Sequence, residues 1–245
     1  GNENYTINNK KFDVKAGEYV IGNSNTTSKV LIDRSTEVQG ICFDISKEII
    51  LEIINYNYKN PIEFSRFLFE QDWMVQKYNA KNTNLGYALS QMSCEFENLK
   101  NGNSEVNKEL FFSVGECVVK DQSMVFESFN RLTSSKEETN RRHFNFIYDA
   151  KNFIDKNFLD NMDIEKISRE AKLSEYHFIR LFKKVFNTTP YKYVIQKRLD
   201  LALELLNNNY TISDISSILG YTDIPAFSKA FKQKFGYSPR SHQSN

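Results

Sequence analysis

Two stretches, FIRLFKKVFNTTP (178–190) and FSKAFKQKFGYSP (227–239), share one pattern of aromatic and basic residues near the end of the chain. Both read Phe-x-[Arg/Lys]-x-Phe-Lys-x-x-Phe-x-x-[Ser/Thr]-Pro, and the copies lie 49 positions apart. In each copy the Phe residues recur at helical spacing and form an apolar face, while the Lys and Arg residues fall largely on the opposite side. The repeat therefore predicts two copies of one basic helix, each built on an aromatic core.

Upstream of each basic helix the sequence predicts a shorter helix and a tight turn. The residues that match at an offset of 48 are Ile164, Ile167 and Ser168 with Ile212, Ile215 and Ser216. Ser174 and Asp223 stand where an N-cap of each longer helix belongs, and Gly220 suits a left-handed helix end. A short helix, a turn and a longer helix make the helix-turn-helix arrangement.

Residues 190–207, PYKYVIQKRLDLALELLN, are predicted to form one continuous helix between the two units. Pro190 fits the first helical turn, and the apolar residues that follow it recur at helical spacing. Such a helix would span about 27 Å at about 1.5 Å per residue. This length suits two helices that enter successive major-groove segments about 34 Å apart.

Residues 160–240 resemble the DNA-binding region of the AraC/XylS family of bacterial transcription regulators. The matching residues are RLFKKVF (180–186), Pro190, Arg198-Leu199, Ala202, Leu205-Leu206, Ile215, Gly220-Tyr221, FSKAFK (227–232) and Phe235-Gly-x-Ser-Pro. The resemblance implies a cytoplasmic regulator, by family habit an activator, with double-stranded DNA and RNA polymerase as partners and no cofactor. It also implies a final short helix after Pro239, which we expect to be truncated or poorly formed here.

The resemblance also implies which residues contact DNA. In the first basic helix the base-facing candidates are Tyr176, His177, Ile179 and Arg180, and in the second they are Ile224, Pro225 and Lys229. The expected phosphate partners are Lys183, Lys184 and Lys232, with the helix caps Ser174 and Asp223. Arg180 can bond a guanine edge with two hydrogen bonds, whereas Ile224 and Pro225 offer no side-chain hydrogen bond. We therefore expect the first copy to specify sequence and the second chiefly to anchor.

Charge divides the chain in the same way. Residues 141–245 hold 17 Lys and Arg against 11 Asp and Glu, a net charge of +6, while residues 1–140 hold 15 against 20, a net charge of −5. A basic half joined to an acidic half is typical of a DNA-binding domain fused to a non-binding one. We predict an N-terminal regulatory domain over 1–132, a polar linker at 133–140 and a DNA-binding domain over 141–245.

The predicted fold class is α+β, mostly α. Strand-like runs at 5–7, 12–14, 19–21, 30–32 and 38–43 predict short strands over residues 1–45. The resemblance implies that they form a partial cupin-like β-barrel and that a small-molecule effector occupies it. Residues 46–132 are predicted to be helical, with a cap at Ser46. Their apolar stripes fit equally a homodimer interface and an intramolecular core packed on the barrel.

Composition excludes several classes of protein. The three histidines, His143, His177 and His242, all lie outside the strand-like runs, so a metal-dependent cupin enzyme is not expected. The three cysteines are scattered without a CxxC motif and indicate reduced thiols, and no apolar run approaches the roughly 20 residues of a membrane span. With no nucleophile–base or metal constellation, the alternative to a regulator is a protein-interaction module that has lost DNA binding or binds DNA without specificity.

Overall fold

The structure, a computed structural model, describes residues 2–7, 10–32, 40, 42–70, 76–100, 108–133, 136–160, 162–170 and 173–243. The chain divides into two compact units, Gly1–Glu127 and Ser128–Asn245.

The strands are short and lie in the first unit, and helices make up most of the chain. The strands are β1 (Asn2–Ile7), β2 (Lys10–Lys15), β3 (Glu18–Ile21), β4 (Ser28–Ile32) and β5 (Gln76–Asn79). The helices are α1 (Lys47–Asn57), α2 (Pro61–Phe69), α3 (Asn84–Lys100), α4 (Lys108–Asn130), α5 (Glu137–Asn157), α6 (Ile164–Glu170), α7 (Glu175–Phe186), α8 (Pro190–Asn207), α9 (Ile212–Ile218), α10 (Ile224–Phe235) and α11 (Pro239–Gln243). The predicted class, a mostly helical chain with a few strands, is confirmed.

The predicted cupin-like barrel is not confirmed. Four of the five strand-like runs do form strands. Half of the fifth, at 38–43, lies outside the described residues, and its described residues 40, 42 and 43 are not in a strand. Over the described residues the strands make two separate antiparallel sheets, one of order β2-β1-β4 and one pairing β3 with β5, and no closed barrel.

Strand β5 corrects the prediction that residues 46–132 are helical throughout. Tyr78 of β5 lies opposite Tyr19 of β3, and the two rings stack with centroids 5.4 Å apart. The Gln122 side chain donates to the Tyr78 hydroxyl at 3.1 Å, and burial raises the pKa of Tyr78 to about 12. A strand of four residues is too short for its periodicity to be recognised, and its partner lies far away in sequence.

The helices of the first unit pack into an intramolecular core. Ser46 caps α1 as predicted, since its hydroxyl accepts from the Ile49 amide. Leu85 and Met92 of α3 and Val114 of α4 are buried, with Tyr19 and Ile21 of β3 packed against them. The apolar stripes thus pack within the chain, while homodimerisation stays a prediction.

Gly86 marks a close approach inside this core. A Cβ atom at Gly86 would lie 2.2 Å from the backbone of Ala80, in the single 3-10 turn Ala80–Asn82 that precedes α3. The buried carboxylate of Asp121, on α4, accepts from the backbone amides of Asn84 at 3.0 Å and Leu85 at 2.9 Å. This carboxylate satisfies amides that the start of α3 leaves without intrahelical partners.

The second unit is all-helical, and its duplicated parts were predicted well. Helix α8 has the bounds predicted for the central helix, 190–207, and its cap Thr189 accepts from the Lys192 amide. Helix α5 begins at Glu137, inside the segment predicted as linker. Its first turn is acidic, which favours a helix N-terminus.

The end of the chain corrects one expectation. Residues 239–243 form the short helix α11, in which the His242 ring stacks on Tyr237 with centroids 5.7 Å apart. A ring nitrogen of His242 also lies 2.8 Å from the Asn207 side-chain oxygen at the end of α8. These contacts, invisible in the local sequence, hold the final turn.

Candidate nucleic-acid interface

The first basic helix, α7, is capped at both ends as its sequence predicts. The Ser174 hydroxyl accepts from the His177 amide, and Asn187 ends the helix in the left-handed conformation with φ of 57°. The inward side chains are buried, namely Phe178, Leu181, Phe182 and Val185. The aromatic packing of that face fixes which side chains of α7 face outward.

Three of the predicted site residues share the outward face of α7. Tyr176 is 77% exposed, and Arg180 and Lys183 are exposed as well. They lie at i, i+4 and i+7, a spacing that places them along one side of a helix. Ile179 lies at one flank of this face and is half-buried.

His177 and Lys184 lie on the other flank and contact neighbouring parts of the same unit. The His177 ring meets His143 of α5 edge to face, with centroids 5.3 Å apart. Burial, the proximity of His177 and that of Arg142 lower the pKa of His143. The Lys184 ammonium donates to the Thr133 hydroxyl at 3.0 Å.

The second basic helix, α10, repeats the arrangement of the first. Asp223 is its N-cap and accepts from the Ala226 amide at 2.6 Å, and Gly236 ends the helix with φ of 85°. Phe227 and Phe231 are fully buried. Every predicted site residue of this helix is exposed: Ile224, Pro225, Lys229 and Lys232.

Ser228 is a residue of this face that the sequence prediction missed. It occupies the position equivalent to Ile179 and is half-buried, next to Lys229. Its hydroxyl can both donate and accept a hydrogen bond. The offset of 49 between the copies was a sufficient signal, because it maps Ile179 directly onto Ser228.

Polar contacts join α8 to α5 and to the segment that follows α5. The Asp155 carboxylate of α5 accepts from the Tyr193 hydroxyl at 2.8 Å, and the Lys197 ammonium lies 3.4 Å from it. Arg198 of α8 donates to the carbonyls of Phe158, at 2.7 Å, and Asp160, at 3.0 Å. Both basic helices pack their aromatic faces against the same helix, α8.

Each of the two N-termini carries one carboxylate. In α7 it belongs to Glu175, in the first turn after the neutral cap Ser174, and in α10 it belongs to the cap Asp223 itself. A negative charge at the start of a helix interacts favourably with the helix dipole.

Other kinds of site find little support in the part of the chain that the structure describes. Its His, Cys, Asp and Glu residues form no group of three or more placed to hold a metal ion. Among the same residues, no helix combines the length and the apolar character that crossing a membrane requires.

Fold and exposed face together define the second unit as a double helix-turn-helix domain. A family profile described as "Helix-turn-helix domain" matches residues 167–245. The chain is 28% identical over 129 residues to the probable transcriptional regulator LumQ of Photobacterium leiognathi. The match covers 52% of this chain and 48% of that protein. It is 27% identical over 173 residues to the Msm operon regulatory protein of Streptococcus mutans, or 70% of this chain and 60% of that protein.

Among solved structures, a transcriptional regulator from Chromobacterium violaceum with an AraC-type DNA-binding domain is 26% identical over 40% of this chain and 89% of that chain, with a TM-score of 0.38. The profile match over residues 167–245 and the similar transcription regulators support the resemblance to the AraC/XylS family that the sequence predicted. The chain spans about half the length of LumQ and three-fifths that of the Msm operon regulatory protein.

Proposed function

We propose that this chain is a sequence-specific DNA-binding transcription regulator whose helices α7 and α10 each enter the major groove of double-stranded DNA. The observation that carries the proposal is the duplication itself: two capped helices, each anchored by buried Phe residues, present exposed basic residues at equivalent positions. Two such helices fit a regular, acidic polymer, because the same contact recurs along it.

In the proposed complex the first helix-turn-helix unit, which contains α7, specifies sequence. Arg180 donates to the O6 and N7 atoms of a guanine, and Tyr176 and Ile179 contact thymine methyl groups. Lys183 binds a phosphate, and the first amides of α7, behind the cap Ser174, face another. His177 and Lys184 act from the flank of the face, where the Lys184 ammonium, which has three donors, binds a phosphate while it keeps its bond to Thr133.

The second helix-turn-helix unit, which contains α10, chiefly anchors the protein on DNA. Lys229 reaches a base edge or a phosphate, Lys232 binds a phosphate, and Ile224 and Pro225 supply apolar contacts. Such contacts position a protein on DNA with little sequence information. The first amides of α10, capped by Asp223, face a further phosphate.

The experiment is a binding titration over a salt series. A duplex selected by the wild-type chain from a random-sequence library serves as probe, beside a scrambled duplex. The Arg180→Ala variant should lose about 10-fold to 100-fold in affinity for the selected duplex, and relax its selectivity at one base pair. Lys229→Ala should lose less selectivity, and each of Lys183→Ala and Lys232→Ala should lower the slope against salt by about one.

Lys156→Ala is the matched control, because it removes one exposed positive charge of α5 and leaves both basic helices intact. If binding is weak, unselective and as insensitive to Arg180→Ala and Lys229→Ala as to this control, the basic helices do not read DNA. The chain would then be the protein-interaction module that is the alternative.

The proposal extends to the whole chain. Residues 1–132 form a regulatory domain that responds to a small-molecule effector and supports a homodimer, residues 133–140 link it to the DNA-binding domain, and the regulator activates transcription with RNA polymerase in the cytoplasm, without enzymatic activity. Family resemblance supports these points. Transcription from the chain's own upstream promoter, compared with and without the gene for this chain, tests the sign of regulation.

A further inference from the structure

The segment 131–133, which follows α4, forms hydrogen bonds with the C-terminal end of the first basic helix. The Arg131 guanidinium donates to the Val185 carbonyl in the last turn of α7, at 3.0 Å. Two residues later the Thr133 hydroxyl accepts from Lys184, also at 3.0 Å. Between them Leu132 is buried, so the segment 131–133 is fixed in place as well as bonded.

These contacts suit the chemistry of a helix end. The last carbonyls of an α-helix have no intrahelical partner, and a positive charge beside them is favourable because that end of the helix dipole is negative. A hydrogen bond from a guanidinium is stronger than one between neutral groups. The Arg131 side chain therefore binds the backbone of α7, although Arg131 lies 54 positions away in the sequence.

The corresponding end of α10 is held in a different way. The residue equivalent to Val185 is Lys234, whose ammonium donates to the Gln196 carbonyl and the Asp200 carboxylate of α8. Beyond this end Tyr237 stacks on His242 of α11. Helix α10 is thus fixed to its own unit, whereas α7 is fixed to the segment that continues α4.

We propose that Arg131 is a positioning residue for sequence reading by α7. By holding the Val185 carbonyl it sets the angle at which Tyr176 and Arg180 meet the base edges, although it does not touch DNA itself. The inference rests on the proposed function of α7.

The test uses the full chain and the library-selected duplex described above. The half of the duplex that α7 reads is the half whose scrambling weakens the Arg180→Ala variant less than it weakens the wild-type chain. Arg131→Met keeps the length of the side chain and removes the charge and the hydrogen bonds. It should lose about tenfold in affinity for the intact duplex, and almost nothing when the half read by α7 is already scrambled.

Three further measurements separate positioning from other roles. The slope of affinity against salt should stay unchanged, because a residue that binds no phosphate releases no counterion. Arg131→Lys should recover part of the selectivity, since its ammonium can still donate to the carbonyl. Thr133→Val removes the bond from Lys184 and should cause a smaller loss in the same half, which gives a second reading if Arg131→Met does not fold.

Equal losses of Arg131→Met on intact and half-scrambled duplexes would overturn the proposal and indicate general damage to the unit. A lower salt slope would overturn it in favour of a direct phosphate contact. An unchanged affinity would also overturn it. In each case Arg180→Ala still reports separately on whether α7 reads DNA, so failure of this inference is distinguishable from failure of the proposed function.

Discussion

In the two helix-turn-helix units the buried side chains repeat and the exposed ones diverge. Phe178 and Phe182 of α7 correspond to Phe227 and Phe231 of α10; all are fully buried, and each pair has its ring centroids 5.8 Å apart. On the outward faces Tyr176 faces solvent where α10 has Pro225.

This difference shows which part of each unit is scaffold. Packing requires the aromatic face and the caps in both copies, because protein cores tolerate little change in volume. The exposed face is free of that constraint, so it can be adapted to a different stretch of a binding partner. The comparison can be tested at sites where the copies should behave alike and at sites where they should not.

The largest expected effect is a shared loss of stability in the aromatic cores. Phe182→Ala and Phe231→Ala should each lower the free energy of unfolding by about 3–5 kcal/mol, because each leaves a cavity at a fully buried site. Urea unfolding followed by circular dichroism measures both. Tyr176→Ala, at an exposed site, is the control and should stay within about 0.5 kcal/mol of wild type. A loss below about 1 kcal/mol in either core would show that the two units are not equivalent scaffolds.

The next effect should be confined to the first helix-turn-helix unit, where the Asp155 carboxylate joins α5 to α8. Burial alone would raise the pKa of Asp155, but the ammonium groups of Lys151 and Lys197 and the Tyr193 hydroxyl together hold it below its ordinary value. The folded-state pKa is therefore lower than that of the unfolded chain. The interaction stabilises the fold above about pH 4 and is lost as pH falls through the folded-state pKa.

Asp155→Asn should accordingly cost about 1.5–3 kcal/mol at neutral pH, the usual value of hydrogen bonds to a charged group. The difference from wild type should shrink as pH falls below about 4. Urea midpoints measured over a pH series test this. Asp200→Asn is the matched control on α8, since the Asp200 side chain is 60% exposed. A gap that stays constant down to low pH would count against an ionic role for Asp155.

The sequence predicted most of the second unit because its signals are local. The caps Ser174 and Asp223, the left-handed Asn187 and Gly220, the bounds of α8 and the buried Phe faces all follow from residues within a few positions of one another. Such features depend on backbone geometry and helical spacing, which a single sequence displays directly.

What the sequence did not predict depends on partners that are distant along the chain. The bond from Arg131 to Val185 and the attachment of Lys184 to Thr133 join segments more than 50 positions apart. Strand β5 forms by pairing with β3, which is distant in sequence. Helix α11 is held by the contacts of His242 with Asn207 and Tyr237. Periodicity reports which face of an element is apolar, but it does not report which element covers that face.

A smaller effect is expected at the two helix ends, where different residues adopt the same backbone. Gly236→Ala should cost about 1–2 kcal/mol, because φ of 85° is strained for a residue with a Cβ atom. A Cβ there would meet no neighbouring atom within 4 Å, so the cost is one of backbone conformation alone. Gly236→Asn copies Asn187 and should cost less, since Asn tolerates this region. Thermal unfolding compares the variants, and equal losses for Ala and Asn would contradict this explanation.

The smallest effect should come from the one inward position where the copies differ in charge. Lys234 stands where α7 has the buried Val185, and its ammonium bonds to Asp200 of α8 with the two side chains 25% and 60% exposed. Partly exposed ion pairs contribute only about 0.2–1 kcal/mol, and valine would bury apolar surface in exchange. Lys234→Val should thus change the free energy of unfolding by less than about 1 kcal/mol. The ion pair in the wild-type chain should contribute still less in high salt, because salt screens it. Lys232→Val, on the exposed side of the same helix, corrects for the lower helix propensity of valine. If Lys234→Val is far more damaging than Lys232→Val, the second unit depends on its polar contact with α8, and the two scaffolds are held together by different forces.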